Sequence, residues 1–135
     1  MIKAVIFDFF GVVEQEGKSN PLLIAYIKSA LKPKYKLGII SNAAGDWVSE
    51  LLSEDKAGLF DDITISYKIG FTKPDPKIYH ASLKNLDVEP SDAVFIDDID
   101  SYCVAARKVG MQAIHYQGFA QLERDLGRLL SVPDK

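Results

Sequence analysis

Five short strand-like stretches, four of them largely apolar and each followed by a stretch of helical periodicity, constrain this chain more than any other feature. They are Val5-Ile6-Phe7 before Asp8, Leu37 to Ile40 before Ser41-Asn42, Asp62 to Ser66, Ala93 to Ile96 before Asp97-Asp98, and Ala113 to Tyr116. A continuous apolar run of this length fits a strand of a parallel sheet, buried on both faces. Between the runs, apolar residues recur at helix spacing: Leu23, Ile27, Ala30 and Leu31, then Trp47, Val48, Leu51 and Leu52. Tyr79, Leu83 and Leu86 follow, then Tyr102, Ala105, Ala106 and Val109, and finally Leu122, Leu126, Leu129 and Leu130. Strands alternating with helices predict a parallel sheet covered on both faces.

The punctuation agrees with that pattern. Asn20-Pro21 offers a capping side chain and a proline for the first helical position, and Pro33 ends the same helix. Pro76 suits a second helix start, and Gly110 suits a left-handed cap. No repeat or linker interrupts the 135 residues, so one domain over 1–135 is expected.

Right-handed crossovers put the carboxyl ends of all parallel strands on one edge, where open α/β sheets bind ligands. Asp8, Ser41 and the pair Asp97-Asp98 should therefore converge, with Lys73 arriving on the loop Gly70 to Pro76. Carboxylates, a hydroxyl and a lysine at one place suit a divalent cation and a phosphoryl group. Hard oxygen ligands favour Mg²⁺, which takes one or two carboxylates and leaves its other positions to water or substrate. The cation and the lysine would offset repulsion between an anionic nucleophile and an anionic substrate.

Composition narrows the partners. A net charge of −3 and a sequence pI near 5.3 show no basic stripe, so nucleic acid is not expected as a partner. No apolar run reaches the roughly 20 residues of a membrane span, so no membrane association is expected. The single cysteine, Cys103, cannot pair within the chain and reads as a small packing residue, in keeping with a cytoplasmic location. His80 and His115 share no metal-ligand spacing and read as structural.

Four segments in order resemble the motifs of the haloacid dehalogenase-like (HAD) hydrolases. Phe7-Asp8-Phe9-Phe10-Gly11-Val12-Val13 looks like the first and Ile39-Ile40-Ser41-Asn42 like the second. Lys73-Pro74-Asp75-Pro76-Lys77-Ile78-Tyr79 looks like the third, and Val94-Phe95-Ile96-Asp97-Asp98, with Ala105-Ala106 and Gly110 behind it, like the fourth. The style is that of small sugar-phosphate phosphatases and the N-terminal phosphatase domain of epoxide hydrolase. The resemblance implies a three-layer α/β/α Rossmann-like fold without a cap domain, the five-stranded parallel sheet ordered 5-4-1-2-3 along the chain. It implies an Mg²⁺-dependent phosphomonoester hydrolase with Asp8 as nucleophile, forming an aspartyl-phosphate. Asp8, Asp98 and the backbone carbonyl of Phe10 would ligate Mg²⁺, with Asp97 bound directly or through water. Ser41 and the amide of Asn42 would hold phosphoryl oxygens, and Lys73 would neutralise the phosphate and keep Asp8 charged. The substrate would be a small phosphorylated compound or a larger phosphorylated partner.

Two departures qualify the carry-over. Family members usually carry a second aspartate two residues after the nucleophile, as general acid and base, and here that residue is Phe10. Phenylalanine moves no proton, so the roughly 10²–10⁴-fold from such a group is in question. Relatives also insert a helical cap between the first two motifs, whereas only Glu14 to Lys36 lie there. The expected site is open, unless a second copy of the chain covers it. Three alternatives follow: a catalytically weakened relative acting by binding a partner, a haloacid dehalogenase-type hydrolase needing no metal, and a phospho-receiver domain. The order of the acidic residues argues against the last, since receivers place their acidic pair first.

Overall fold

The computed structural model describes residues 1–131; residues 132–135, the last of the expected domain, lie outside the described residues. Along the chain the strands are β1 (Ala4–Asp8), β2 (Glu14–Gln15), β3 (Lys18–Ser19), β4 (Lys36–Ser41), β5 (Asp62–Ile65), β6 (Ala93–Asp97) and β7 (Gln112–His115). Five of them form one sheet in the order β5-β4-β1-β6-β7, every neighbouring pair parallel. Counting only these five along the chain, the order is the expected one read from the other edge. What the sequence pattern lacked is β2 and β3, a separate antiparallel hairpin standing beyond the end of β1.

The register fixes the functional edge. Asp8 lies beside Ile40 of β4, Phe7 beside Ile96 of β6, and Asp97 beside His115 of β7. Because successive strand residues face opposite ways, each central strand feeds two cores. Val5, Phe7, Leu37, Ile39, Val94 and Ile96 share one core with Leu23, Ile27, Leu122 and Leu126. Ala4, Ile6, Ile40, Ala93 and Phe95 share the other with Ile78, Tyr79, Leu83 and Ala106. Burying each large apolar side chain contributes about 1.5–3 kcal/mol before entropy is counted, so polar groups fixed at these strand ends sit on a stiff base.

The helices are α1 (Pro21–Tyr26), α2 (Trp47–Leu51), α3 (Glu54–Ala57), α4 (Ser66–Ile69), α5 (Pro76–Leu86), α6 (Asp100–Val109) and α7 (Phe119–Leu130). Asn20 caps α1 by accepting from Leu23 N, and Asp75 caps α5 by accepting from Lys77 N, each just ahead of a proline. Gly110 closes α6 at φ 108°, in the left-handed region where a side chain is strained.

Three expectations need correction. Beyond Tyr26 the first helix continues as a π-helix over Ile27–Leu31, and the wider turn carries Ala30 outward while Ile24 takes a place in the core. Trp47 and Leu51 are exposed, because α2 stops after five residues and the chain turns extended at Leu52; only Val48 and Leu52 are buried. Ser66 is not the end of a strand but the first residue of α4. Among the described residues no helix is long and apolar enough to cross a membrane.

Candidate active site

Three strand ends and one loop build the site. β1 delivers Asp8, β4 delivers Ser41, β6 delivers Asp97 followed by Asp98, and the segment between α4 and α5 delivers Lys73. The Lys73 ammonium donates to Asp8 Oδ1 at 2.7 Å and to Asp97 Oδ2 at 2.9 Å. All three side chains are almost completely shielded, at 1% exposure for Lys73, 8% for Asp8 and 0% for Asp97. Asp98 reaches solvent, and Asp8, Asp97 and Asp98 each offer a carboxylate oxygen within 4.8 Å of the others.

One ammonium faces two buried carboxylates, so the cluster is short of positive charge. Burial pushes the Asp8 carboxyl up to about 8 against the pull of Lys73, and the neighbouring Asp97 adds to the push. Burial likewise raises Asp97, opposed by Lys73 and by the Ile99 amide that donates to its Oδ1 at 3.0 Å. Such a cluster favours a further cation over an empty site.

Lys73 is held in place by contacts that strand and helix periodicity do not reveal. Asn42 Oδ1 accepts from the Lys73 amide at 2.8 Å, and Asn42 Nδ2 donates to the Lys73 carbonyl at 3.1 Å and to the Tyr102 hydroxyl at 3.4 Å. The Lys73 ammonium stands 5.5 Å from the Phe95 ring centre and 5.2 Å from that of Tyr102. Tyr79 in turn donates its hydroxyl to the Tyr102 carbonyl at 2.8 Å. Ser66, read from the sequence as a strand residue, both accepts from Ala43 N at 2.9 Å and donates to Ala43 O at 3.0 Å. That bond fixes the turn after Ser41. The signal for Asn42 and Ser66 lay only in their positions beside strand ends.

The other expected residues fall as follows. Ser41 is fully buried and its hydroxyl has no hydrogen-bond partner among the described residues. The Asn42 side chain is taken up by the Lys73 loop, so its backbone amide is the part that remains for a ligand. Phe10 is half-buried and meets Phe9 edge-on at 5.0 Å, with Phe9 in the core and Trp47 exposed. Gly11, at φ 86°, lies against Asp98, and a Cβ there would overlap the Asp98 carboxylate. His115 lies 3.0 Å by Nε2 from the Asp98 carbonyl, a structural bond that steadies the acidic turn. Cys103 is buried 3.5 Å from the Asp97 and Ile114 carbonyls, and burial pushes its thiol up to about 11.

With this geometry in hand, comparison places the chain. Residues 5–116 match the family described as haloacid dehalogenase-like hydrolase, and the chain belongs to that family. YhcW of Bacillus subtilis, provisionally named a phosphatase, is 31% identical over 74% of this chain and 46% of its own. The chain thus spans about half the length of that relative. An uncharacterised protein from Corynebacterium glutamicum superposes with a TM-score of 0.85 at 22% identity, covering 100% of this chain and 99% of that one. A HAD family enzyme from Bacteroides thetaiotaomicron, crystallised with magnesium and inorganic phosphate, gives 0.74 at 14% identity over 90% and 99%. These two likenesses establish the fold.

Proposed function

We propose that the chain is a magnesium-dependent phosphomonoester hydrolase with Asp8 as its nucleophile. The observation that carries the reading is Lys73 held between two buried carboxylates, with Asp98 open to solvent beside them. The donor set fits Mg²⁺: hard oxygens only, crowded with more negative charge than one lysine balances. Asp8, Asp98 and the Phe10 carbonyl would hold the ion. Asp97 has both oxygens engaged by Lys73 and Ile99, which favours contact through water. Once bound, Mg²⁺ supplies the charge neutralisation that lets an anionic carboxylate approach an anionic ester.

The remaining steps belong to the chain. Asp8 attacks phosphorus, the ester P–O bond breaks toward the leaving alcohol, and the resulting aspartyl-phosphate is then hydrolysed by water. Lys73 neutralises phosphoryl charge and holds Asp8 in line. The unpartnered Ser41 hydroxyl and the Asn42 amide hold phosphoryl oxygens, and a bound phosphate would satisfy a buried group that otherwise has no partner. The name of YhcW and the magnesium and phosphate in the Bacteroides neighbour support the same chemistry. Phe10 cannot transfer a proton, so activated aryl esters should be cleaved faster than alkyl esters.

A panel of phosphomonoesters, assayed with Mg²⁺ and with chelator, tests this. We expect slow, metal-dependent release of phosphate, abolished by Asp8→Asn and raised by Phe10→Asp, most of all for alkyl esters. If no ester in the panel is hydrolysed and Phe10→Asp restores nothing, the chain works by binding. Release of halide from a haloacid without metal would instead establish dehalogenase chemistry.

A further inference from the structure

A cleft of about 1360 Å³ lies between the hairpin, α1 and the α2–α3 segment. Gly11, the residue packed against Asp98, is part of its lining, so the cleft adjoins the acidic turn. Its lining combines the apolar Pro21, Ile24 and Leu51 with Lys18, Lys28 and Lys56. None of the three lysines forms an ion pair among the described residues.

The walls are built rather than loose. Glu16 at φ 55° and Gly17 at φ 78° make a two-residue turn with both φ positive, the tight form that matches strand twist. Glu14 accepts from the Gly11 amide at 3.3 Å and from the Gly17 amide at 2.7 Å, which commits its carboxylate to the turn. Asn20 ties the far strand back, donating from Nδ2 to the Val12 carbonyl at 3.2 Å. Lys56 reaches across from α3 to the Ser19 hydroxyl at 2.8 Å and closes the outer side. Three lysines against two glutamates leave the lining positive in a chain of net charge −3.

We propose that this cleft receives the leaving group, and that the preferred substrate is a phosphomonoester carrying a second anionic group at its far end. The inference rests on the phosphomonoesterase reading. The reacting phosphate sits at Asp8 and Lys73, the carbon skeleton lies along Pro21, Ile24 and Leu51, and the distal anion meets Lys18 and Lys28. An exposed ion pair contributes up to about 1 kcal/mol, roughly five-fold in affinity. Two such contacts give a preference of about ten-fold or more at low salt.

Non-hydrolysable probes separate this inference from the chemistry. Calorimetric titration of the Mg²⁺-loaded protein compares α,ω-alkyl bisphosphonates of graded length with the matched alkyl monophosphonates, whose P–C bonds cannot be cleaved. We expect at least one bisphosphonate to bind about ten-fold tighter than its partner. The gap should fall to within about two-fold in Lys18→Met/Lys28→Met and in high salt, while monophosphonate affinity is unchanged. Both positions are exposed, so the variant keeps its fold, as circular dichroism checks. Equal binding of the two series, or a preference that survives the double variant, overturns the inference. The hydrolase reading fails separately, on the phosphate-release assay.

Discussion

At the scale of single residues, Lys73 decides the electrostatics, because one ammonium is shared by two carboxylates that burial would rather protonate. The pH dependence follows. Asp8 in the metal-free fold sits near 8, above its ordinary 3.8, so the folded state holds a proton that the unfolded chain has released. Its contribution to stability is present at low pH and is lost as pH rises through about 8. Mg²⁺ competes with that proton and relieves the same repulsion. Thermal melts should therefore show a larger stabilisation by Mg²⁺ at pH 8 than at pH 5.5, and the difference should shrink in Asp98→Asn. A metal effect that is equal at both pH values, or that is unchanged in Asp98→Asn, would place the ion elsewhere. The chemical groups themselves were legible in the sequence, because Asp8, Ser41, Asp97 and Asp98 each stop an apolar run. The residues that aim Lys73 were not. Tyr79 reads as core on α5, and Asn42 reads as a ligand, although its side chain grips the Lys73 backbone.

At the scale of elements, the strands were the legible part and the short helices were not. Each sheet strand lies within a residue or two of the stretch read for it, most closely in the central strands β1, β4 and β6, where burial on both faces leaves little choice of residue type. By contrast, α3 and α4 are only four residues long, too short for a helical period to show, and α2, read at the right place, stops after five residues, so its apolar face is not buried as expected. The hairpin β2–β3 escaped for a related reason: two-residue strands carry no alternation to read, and the only cue was Glu16-Gly17. That turn carries a prediction. Glu16 holds a positive φ that costs a non-glycine residue about 1 kcal/mol, whereas asparagine tolerates it better. Glu16→Asn should raise the stability measured by urea unfolding by about 0.5 kcal/mol. A loss of stability would mean that the Glu16 side chain makes a contact worth more than the strain.

At the scale of the whole molecule, a parallel sheet with two cores holds Asp8, Ser41, Asp97 and Asp98 at one edge, with the β2–β3 hairpin following β1 there. Sheet order was readable from the motif sequence, whereas the large cleft was not, because it forms from residues 11 to 28 folding against Leu51 and Lys56. The same edge explains the expected kinetics. On the proposed reading, Asp8 and Lys73 supply nucleophile and charge for the first step, which an aryl leaving group can complete without an acid, while Phe10 offers the second step no base for water. Hydrolysis of the aspartyl-phosphate should thus be slower than its formation from an aryl ester. Acid quenching of the Mg²⁺-loaded protein after brief mixing with a ³²P-labelled aryl phosphate tests this most directly. We expect alkali-labile label on the peptide containing Asp8, absent with chelator and absent in Asp8→Asn. Phosphate released without label on the protein, at a rate that Asp8→Asn leaves unchanged, would contradict Asp8 as the nucleophile.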